Sequence, residues 1–155
     1  MNKLFIIGLP RTGTTSISVA LLEHDFMVAH TAYTKHAFEL ADVISDAPCF
    51  SDYKELDLIF PDSKFVYLDR DLDKWIPSAQ MLLKKMESRL HPVTGVFSPV
   101  LKRSFDEVFA LTSTKNPHTE EHLEACYRKH QREVFEYFKN RNDFLKINLS
   151  HHNSL

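Results

Sequence analysis

Four consecutive apolar residues, Leu4-Phe5-Ile6-Ile7, run straight into the segment Gly8-Leu9-Pro10-Arg11-Thr12-Gly13-Thr14-Thr15. A short unbroken apolar run fits a strand buried on both faces. A helix follows over about 14–23, with Ile17, Ala20 and Leu21 at helical spacing. Strand, glycine-framed turn and helix make the opening unit of a parallel α/β sheet, and that unit constrains everything downstream. The chain has only 3 glycines in 155 residues, so two placed this close together mark backbone that needs their freedom. The third, Gly95, reads as an ordinary loop residue.

The rest of the chain continues the alternation. Residues 26–29 read as a second strand, 35–44 as a helix through Phe38, Leu40, Ala41 and Ile44, and the surroundings of Pro48 as a loop. A short helix over 53–60 and a Pro61-Asp62-Ser63 turn precede a strand over 64–68. A helix over about 71–89, broken at Pro77, leads to a loop over 91–99. Helices over 100–111 and from Thr119 to about 139 follow, the latter opened by a capping threonine and two glutamates. A last strand covers 144–149. The expected fold is α/β: three layers, with a mostly parallel sheet of about four to five strands flanked by helices, in the manner of P-loop nucleotide kinases. No repeat or linker divides the chain, so one domain is expected over 1–155.

Composition narrows the functional classes. At 43% apolar and 12% aromatic residues, with a formal net charge of −2, the chain is neither disordered nor a broad nucleic-acid binder. No run approaches the roughly 20 apolar residues of a membrane span, and the run over 4–7 is too short for a signal peptide. Cys49 and Cys126 lack disulfide-framework or zinc spacing. A cytoplasmic protein without a metal is expected.

The turn itself carries chemistry. Its glycines allow successive backbone N–H groups to converge, and the following helix N-terminus adds positive potential. Thr14 and Thr15 offer hydroxyls, and Arg11 a fixed charge with a planar fork. Such a turn suits a phosphate or sulfate group. Where a nucleotide-hydrolysing P-loop has Lys after its second glycine, this chain has Thr14. A second set of residues lies beyond the strand over 64–68. Arg70 sits at its carboxyl end, where open α/β sheets place ligands, and Ser78 lies about two helical turns further on. Together they could clamp one more phosphate, with Pro77 exposing Ser78.

Pro10-Arg11-Thr12-Gly13-Thr14-Thr15 resembles the 5′-phosphosulfate loop of the sulfotransferase family, many members of which have Lys where this chain has Arg11. The Arg70…Ser78 pair resembles that family's 3′-phosphate site. The likeness is strongest to bacterial-type sulfotransferase domains, with similar runs at Ser45-Asp46-Ala47-Pro48, Glu55-Leu56-Asp57, Phe60-Pro61-Asp62-Ser63-Lys64-Phe65 and Tyr127-x-x-His130, and it spans 3–149. The resemblance implies 3′-phosphoadenosine 5′-phosphosulfate as donor, 3′,5′-adenosine bisphosphate as product, and a small-molecule, carbohydrate or lipid acceptor. It assigns Pro10, Arg11, Thr12, Gly13, Thr14 and Thr15 to the 5′ end, and Arg70 and Ser78 to the 3′-phosphate. The Gly-rich, basic C-terminal segment that many members fold over the nucleotide is missing. Either the subfamily manages without it or the chain is part of a longer protein.

Transfer to a hydroxyl or amine needs a base. The Lys-x-His motif of the family's cytosolic branch is absent, whereas its carbohydrate-modifying branch uses a Glu at a similar place. Asp46 is the best-placed carboxylate, with a turn aspartate before Pro48 as the competing reading. His130 could line the acceptor side or be a partly exposed helical residue. His36 and Asp52 are weaker candidates, while His151 and His152 look like surface or tail positions. Trp75, Phe97, Phe105, Phe109, Tyr127 and Phe135 could line an acceptor pocket, although helical spacing favours core. Two rival readings remain open: a P-loop kinase or NTPase, with Asp69 after an apolar strand as its magnesium ligand, and a non-catalytic adenosine-bisphosphate-binding module.

Overall fold

A computed structural model describes residues 2–151; His152 lies outside them. Five strands, β1 (Leu4–Ile6), β2 (Val28–His30), β3 (Val43–Ser45), β4 (Lys64–Asp69) and β5 (Phe144–Asn148), form one sheet in the order β2-β3-β1-β4-β5. Every pairing is parallel. The helices are α1 (Thr14–Glu23), α2 (Lys35–Leu40), α3 (Cys49–Ile59), α4 (Leu72–Leu90), α5 (Pro99–Phe109) and α6 (Glu120–Tyr137).

Side chains alternate across the sheet, as the two-residue period of a strand requires. Ile6, Val43, Val66 and Leu68 face α1 and pack on Ile17. Phe5, Ile7, Ile44, Phe65 and Tyr67 face the other way, against Cys49, Tyr53, Leu56, Val134 and Phe138 of the α3 and α6 segments. Helix, sheet and helix give the three layers that the alternation implied. A further cluster joins α4, α5 and α6 around Trp75, Leu83, Phe105, Phe109 and Tyr127, all buried. Of the aromatic residues considered for an acceptor pocket, Trp75, Phe105, Phe109 and Tyr127 are therefore mainly core.

Four local expectations are corrected. The helix read over 35–44 ends at Leu40, and Val43-Ile44-Ser45 is a strand between β1 and β2. Lys3 terminates α2: its Nζ donates to the Ala41 carbonyl at 2.7 Å and to that of Glu39 at 3.4 Å, satisfying groups a helix end leaves open. Helix α3 begins at Cys49 rather than 53, with non-helical backbone at Asp52 inside it. Helix α4 runs unbroken through Pro77, and Ser78 is buried, 9% exposed. Gly95 is sterically required, because a Cβ there would stand 2.2 Å from the Arg89 carbonyl oxygen.

Parallel pairing brings the strands' carboxyl ends to one edge. Ile6 lies in register with Ser45 and Val66, and Ser45 with His30. The turn after β1, Asp46 after β3, His30 ending β2 and Arg70 after β4 consequently share that edge, where such sheets bind ligands.

Candidate functional site

The turn over 8–13 closes on residues that cannot be larger. A Cβ on Gly8 would approach Cβ of Leu68 to 2.7 Å. Gly13 caps α1 at φ 107°, and a Cβ there would meet Leu149 at 2.6 Å. Arg11 also holds positive φ, 72°.

Three successive carbonyls of the turn are each tied by a side chain. Thr12 Oγ1 donates to the Leu9 carbonyl at 2.7 Å, Trp75 Nε1 to that of Pro10 at 2.9 Å, and Arg70 Nη1 to that of Arg11 at 2.6 Å. These three carbonyls are thus already occupied by side-chain donors. The first-turn amides of α1 have no carbonyl partner within it. Thr12 and Thr14 are buried, whereas Thr15 is exposed.

The two sequence-predicted halves come together. Arg11 Nε donates to Ser78 Oγ at 2.7 Å, bridging the turn to the second turn of α4, while Arg70 reaches back to the turn from the end of β4. The β4 end is itself pinned. Asp69 Oδ1 accepts from the Tyr127 hydroxyl, from the Arg70 amide at 2.9 Å and from Gln131 Nε2 at 3.3 Å. The Arg70 amide also donates to the Tyr127 hydroxyl at 2.9 Å.

Asp46 stands on the other flank. Its backbone sits at φ 64°, its Oδ1 accepts from the Ala47 amide at 2.9 Å, and its Oδ2 accepts from Thr14 Oγ1 at 3.4 Å. Burial pushes its carboxyl above the usual range, opposed in part by His30. His30 Nε2 lies 3.7 Å from Asp46 Oδ2, and its Nδ1 pairs with Ser45 Oγ at 2.9 Å. Ser45 in turn shares a hydrogen bond with Ser18 at 2.8 Å. The sequence reading missed His30. The available signal was its position directly after the strand read over 26–29, at the ligand-bearing end.

A cleft of about 420 Å³ joins these groups: Pro10, Arg11, Gly13, Thr14, Thr15, His30, Asp46 and Arg70 line it, together with Leu82 and Met86 of α4 and Leu101 and Phe105 of α5. A larger cavity of about 660 Å³ lies between the end of α4 and α5 and includes none of the residues that the sequence offers for donor binding or catalysis.

His130 is not brought to this cleft. It is buried beside a separate cavity of about 190 Å³, where its Nε2 lies 2.7 Å from the Phe50 carbonyl. Burial lowers its pKa to about 4. Asp52 is held by Arg103 at 2.6 and 2.9 Å, and His36 lies exposed beside Glu39. His151 is exposed near Asp71. Among the described residues no group of three His, Cys, Asp or Glu is placed to hold a metal ion, and no helix is long and apolar enough to cross a membrane.

A family model described as sulfotransferase domain matches residues 27–152. The match includes Asp46, Arg70, Ser78 and His130 and begins beyond the turn over 8–15, whose case rests on its own geometry. No curated protein matches the chain.

Proposed function

The chain belongs to the sulfotransferase domain family, and on that premise we propose that it transfers a sulfuryl group from 3′-phosphoadenosine 5′-phosphosulfate to a hydroxyl or amine. The observation that carries this reading is the convergence of Arg11 and Arg70 on a turn whose three carbonyls are already engaged. Two cations, helix-terminal amides and two threonine hydroxyls suit a ligand with two anionic ends.

The donor supplies the sulfuryl group and leaves as 3′,5′-adenosine bisphosphate. Pro10, Arg11, Thr12, Gly13, Thr14 and Thr15 form the 5′ subsite, in which Arg11 and the amides offset charge on the leaving phosphate. Ser78 and Arg70 hold the 3′-phosphate, Ser78 exchanging its bond from Arg11 for it and Arg70 using guanidinium donors other than the Nη1 that stays on the Arg11 carbonyl. Asp46, beside the turn and facing the cleft, takes the acceptor's proton. His130, in the core, is not part of this assignment. The two buried free thiols fit a reducing compartment, and the proposal places the protein in the cytoplasm.

A magnesium-dependent kinase reading is less well supported. Its magnesium ligand would be Asp69, yet Oδ1 of that carboxylate accepts three protein donors, and Thr14 stands where the phosphate-binding lysine is needed.

Thermal denaturation tests the proposal. 3′,5′-Adenosine bisphosphate should raise the melting temperature, whereas ATP with magnesium should not; the reverse pattern overturns the assignment. Arg70→Ala should weaken the bisphosphate by about ten- to a hundredfold, the value of a charge-assisted hydrogen-bond pair, while leaving adenosine 5′-monophosphate little changed. Retained discrimination would move the 3′-phosphate elsewhere.

A further inference from the structure

The cleft has two chemically different walls. The anion-binding groups and Asp46 line one. Leu82 and Met86 of α4 with Leu101 and Phe105 of α5 form the other. Ser78, Leu82 and Met86 are spaced by four residues, so they lie along one stripe of α4. The apolar wall thus begins one turn, about 6 Å of helix rise, beyond the hydroxyl that Arg11 bonds. Leu101 and Phe105 make the matching stripe on α5.

Which side of the turn this wall serves follows from its packing. The Phe105 ring meets the Phe50 ring edge-on with centroids 5.6 Å apart, and Phe50 stands on α3, four residues after Asp46. Ser51 and Ser104 hydroxyls, 2.7 Å apart, join the same two helices. The α5 part of the wall is therefore anchored on the β3 flank with Asp46, whereas its α4 part, Leu82 and Met86, continues the Ser78 stripe from the β4 flank, so that the wall spans the turn between them. Exposed Tyr33, after β2, completes the lining on the β3 side.

We propose that the Asp46 flank is an acceptor subsite for a molecule with a compact apolar body, aryl or alkyl, bearing a single hydroxyl, and that it discriminates against sugars. The proposal rests on the donor assignment above. A sugar ring set against Leu82 and Met86, which are backed by the buried Leu101 and Phe105, would give up water at several hydroxyls and gain no partner from that wall. An apolar body gains by the same burial and leaves its one hydroxyl facing Asp46. At about 420 Å³ for the whole cleft, the space beside the donor suits one or two fused rings or a short chain. In the transfer, the acceptor oxygen bonds to sulfur as the sulfur–oxygen bond to the phosphate breaks. The phosphate oxygen keeps that bond's electron pair, and the acceptor's proton passes to the Asp46 carboxylate.

The experiment compares 2-naphthol, hexan-1-ol and glucose as acceptors of labelled sulfate. In parallel, 2-naphthol binding is followed by the thermal shift it adds to that of saturating 3′,5′-adenosine bisphosphate. Sulfation of 2-naphthol with kcat/KM at least tenfold above that for glucose, and an added shift from 2-naphthol alone, are expected. Met86→Glu, and independently Leu82→Gln, should raise KM for 2-naphthol at least tenfold and abolish its added shift. Both variants should keep the bisphosphate shift, which also reports that they fold. Glucose used as well as 2-naphthol, or 2-naphthol binding indifferent to both substitutions, overturns the acceptor assignment alone. Loss of the bisphosphate shift in the parent protein overturns the donor assignment beneath it.

Discussion

Asp46 and His130 are the leading acid–base candidates of the sequence, and the fold treats them oppositely. Asp46 follows a three-residue strand, holds positive φ and lines a cleft, beside a hydroxyl and an imidazole. His130 sits in the middle of an eighteen-residue helix and is bonded to the Phe50 carbonyl, with its ring stacked 6.0 Å from that of Tyr67. Both are shifted away from their charged forms by burial. Only Asp46 lines the cleft that holds the glycine-framed turn. A shifted titration therefore does not by itself distinguish a reacting group from a packed one; what the group faces does.

The sharpest way to break this contrast is Asp46→Asn. Steady-state assays with the acceptor proposed above should show kcat reduced by about 10²- to 10⁴-fold, the usual worth of a general base. The melting temperature should hold or rise, because an ionised Asp46 is disfavoured in the folded state. Raised folded pKa means stability that is present at low pH and lost as pH rises through that value, and asparagine removes the loss. Retained kcat would return the role of base to another residue.

His130 has the opposite sign. Its folded pKa, about 4, lies below the unfolded value near 6.5, so its contribution is complete above about pH 6.5 and disappears as pH falls towards 4. The difference amounts to about 3 kcal/mol. Between about pH 7 and pH 4, the stability lost by the parent in denaturant titrations should exceed that lost by His130→Phe by about this amount; parallel curves would refute a neutral buried imidazole. The smallest effect is at pH 7.5. There His130→Phe should cost about 1–2 kcal/mol through the orphaned Phe50 carbonyl, with kcat/KM of the folded enzyme unchanged. A fall in kcat/KM would put His130 back into the chemistry.

The strongly patterned parts of the chain were legible before any coordinates. The run Leu4-Phe5-Ile6-Ile7, the strand into Asp69 and the capped helix after Thr119 all occur where their residue chemistry places them. Strand β3 escaped because three residues cannot display a period. Val43 and Ile44 also continue the helical spacing of Phe38, Leu40 and Ala41, and only their β-branching argues otherwise. The stop that separates them from α2 is Lys3, forty residues away in sequence and so invisible to any local reading. The break expected at Pro77 failed because α4 is held by packing of Trp75, Ala79 and Leu83 on either side of it. The site followed the same rule. Arg11, Ser78 and Arg70 could be named from local motifs, but their mutual bonds depend on how α4 crosses the turn. His30 joins Asp46 only because β2 and β3 happen to be neighbours.

A peptide can present either pole of its dipole, and most surface turns reorient to suit whatever arrives. Here Leu9, Pro10 and Arg11 would each have to surrender a side-chain bond before turning a carbonyl outwards. The turn has in effect chosen its sign during folding. Cations meet a surface that cannot rearrange to solvate them, and an anion meets one whose reorientation is already complete.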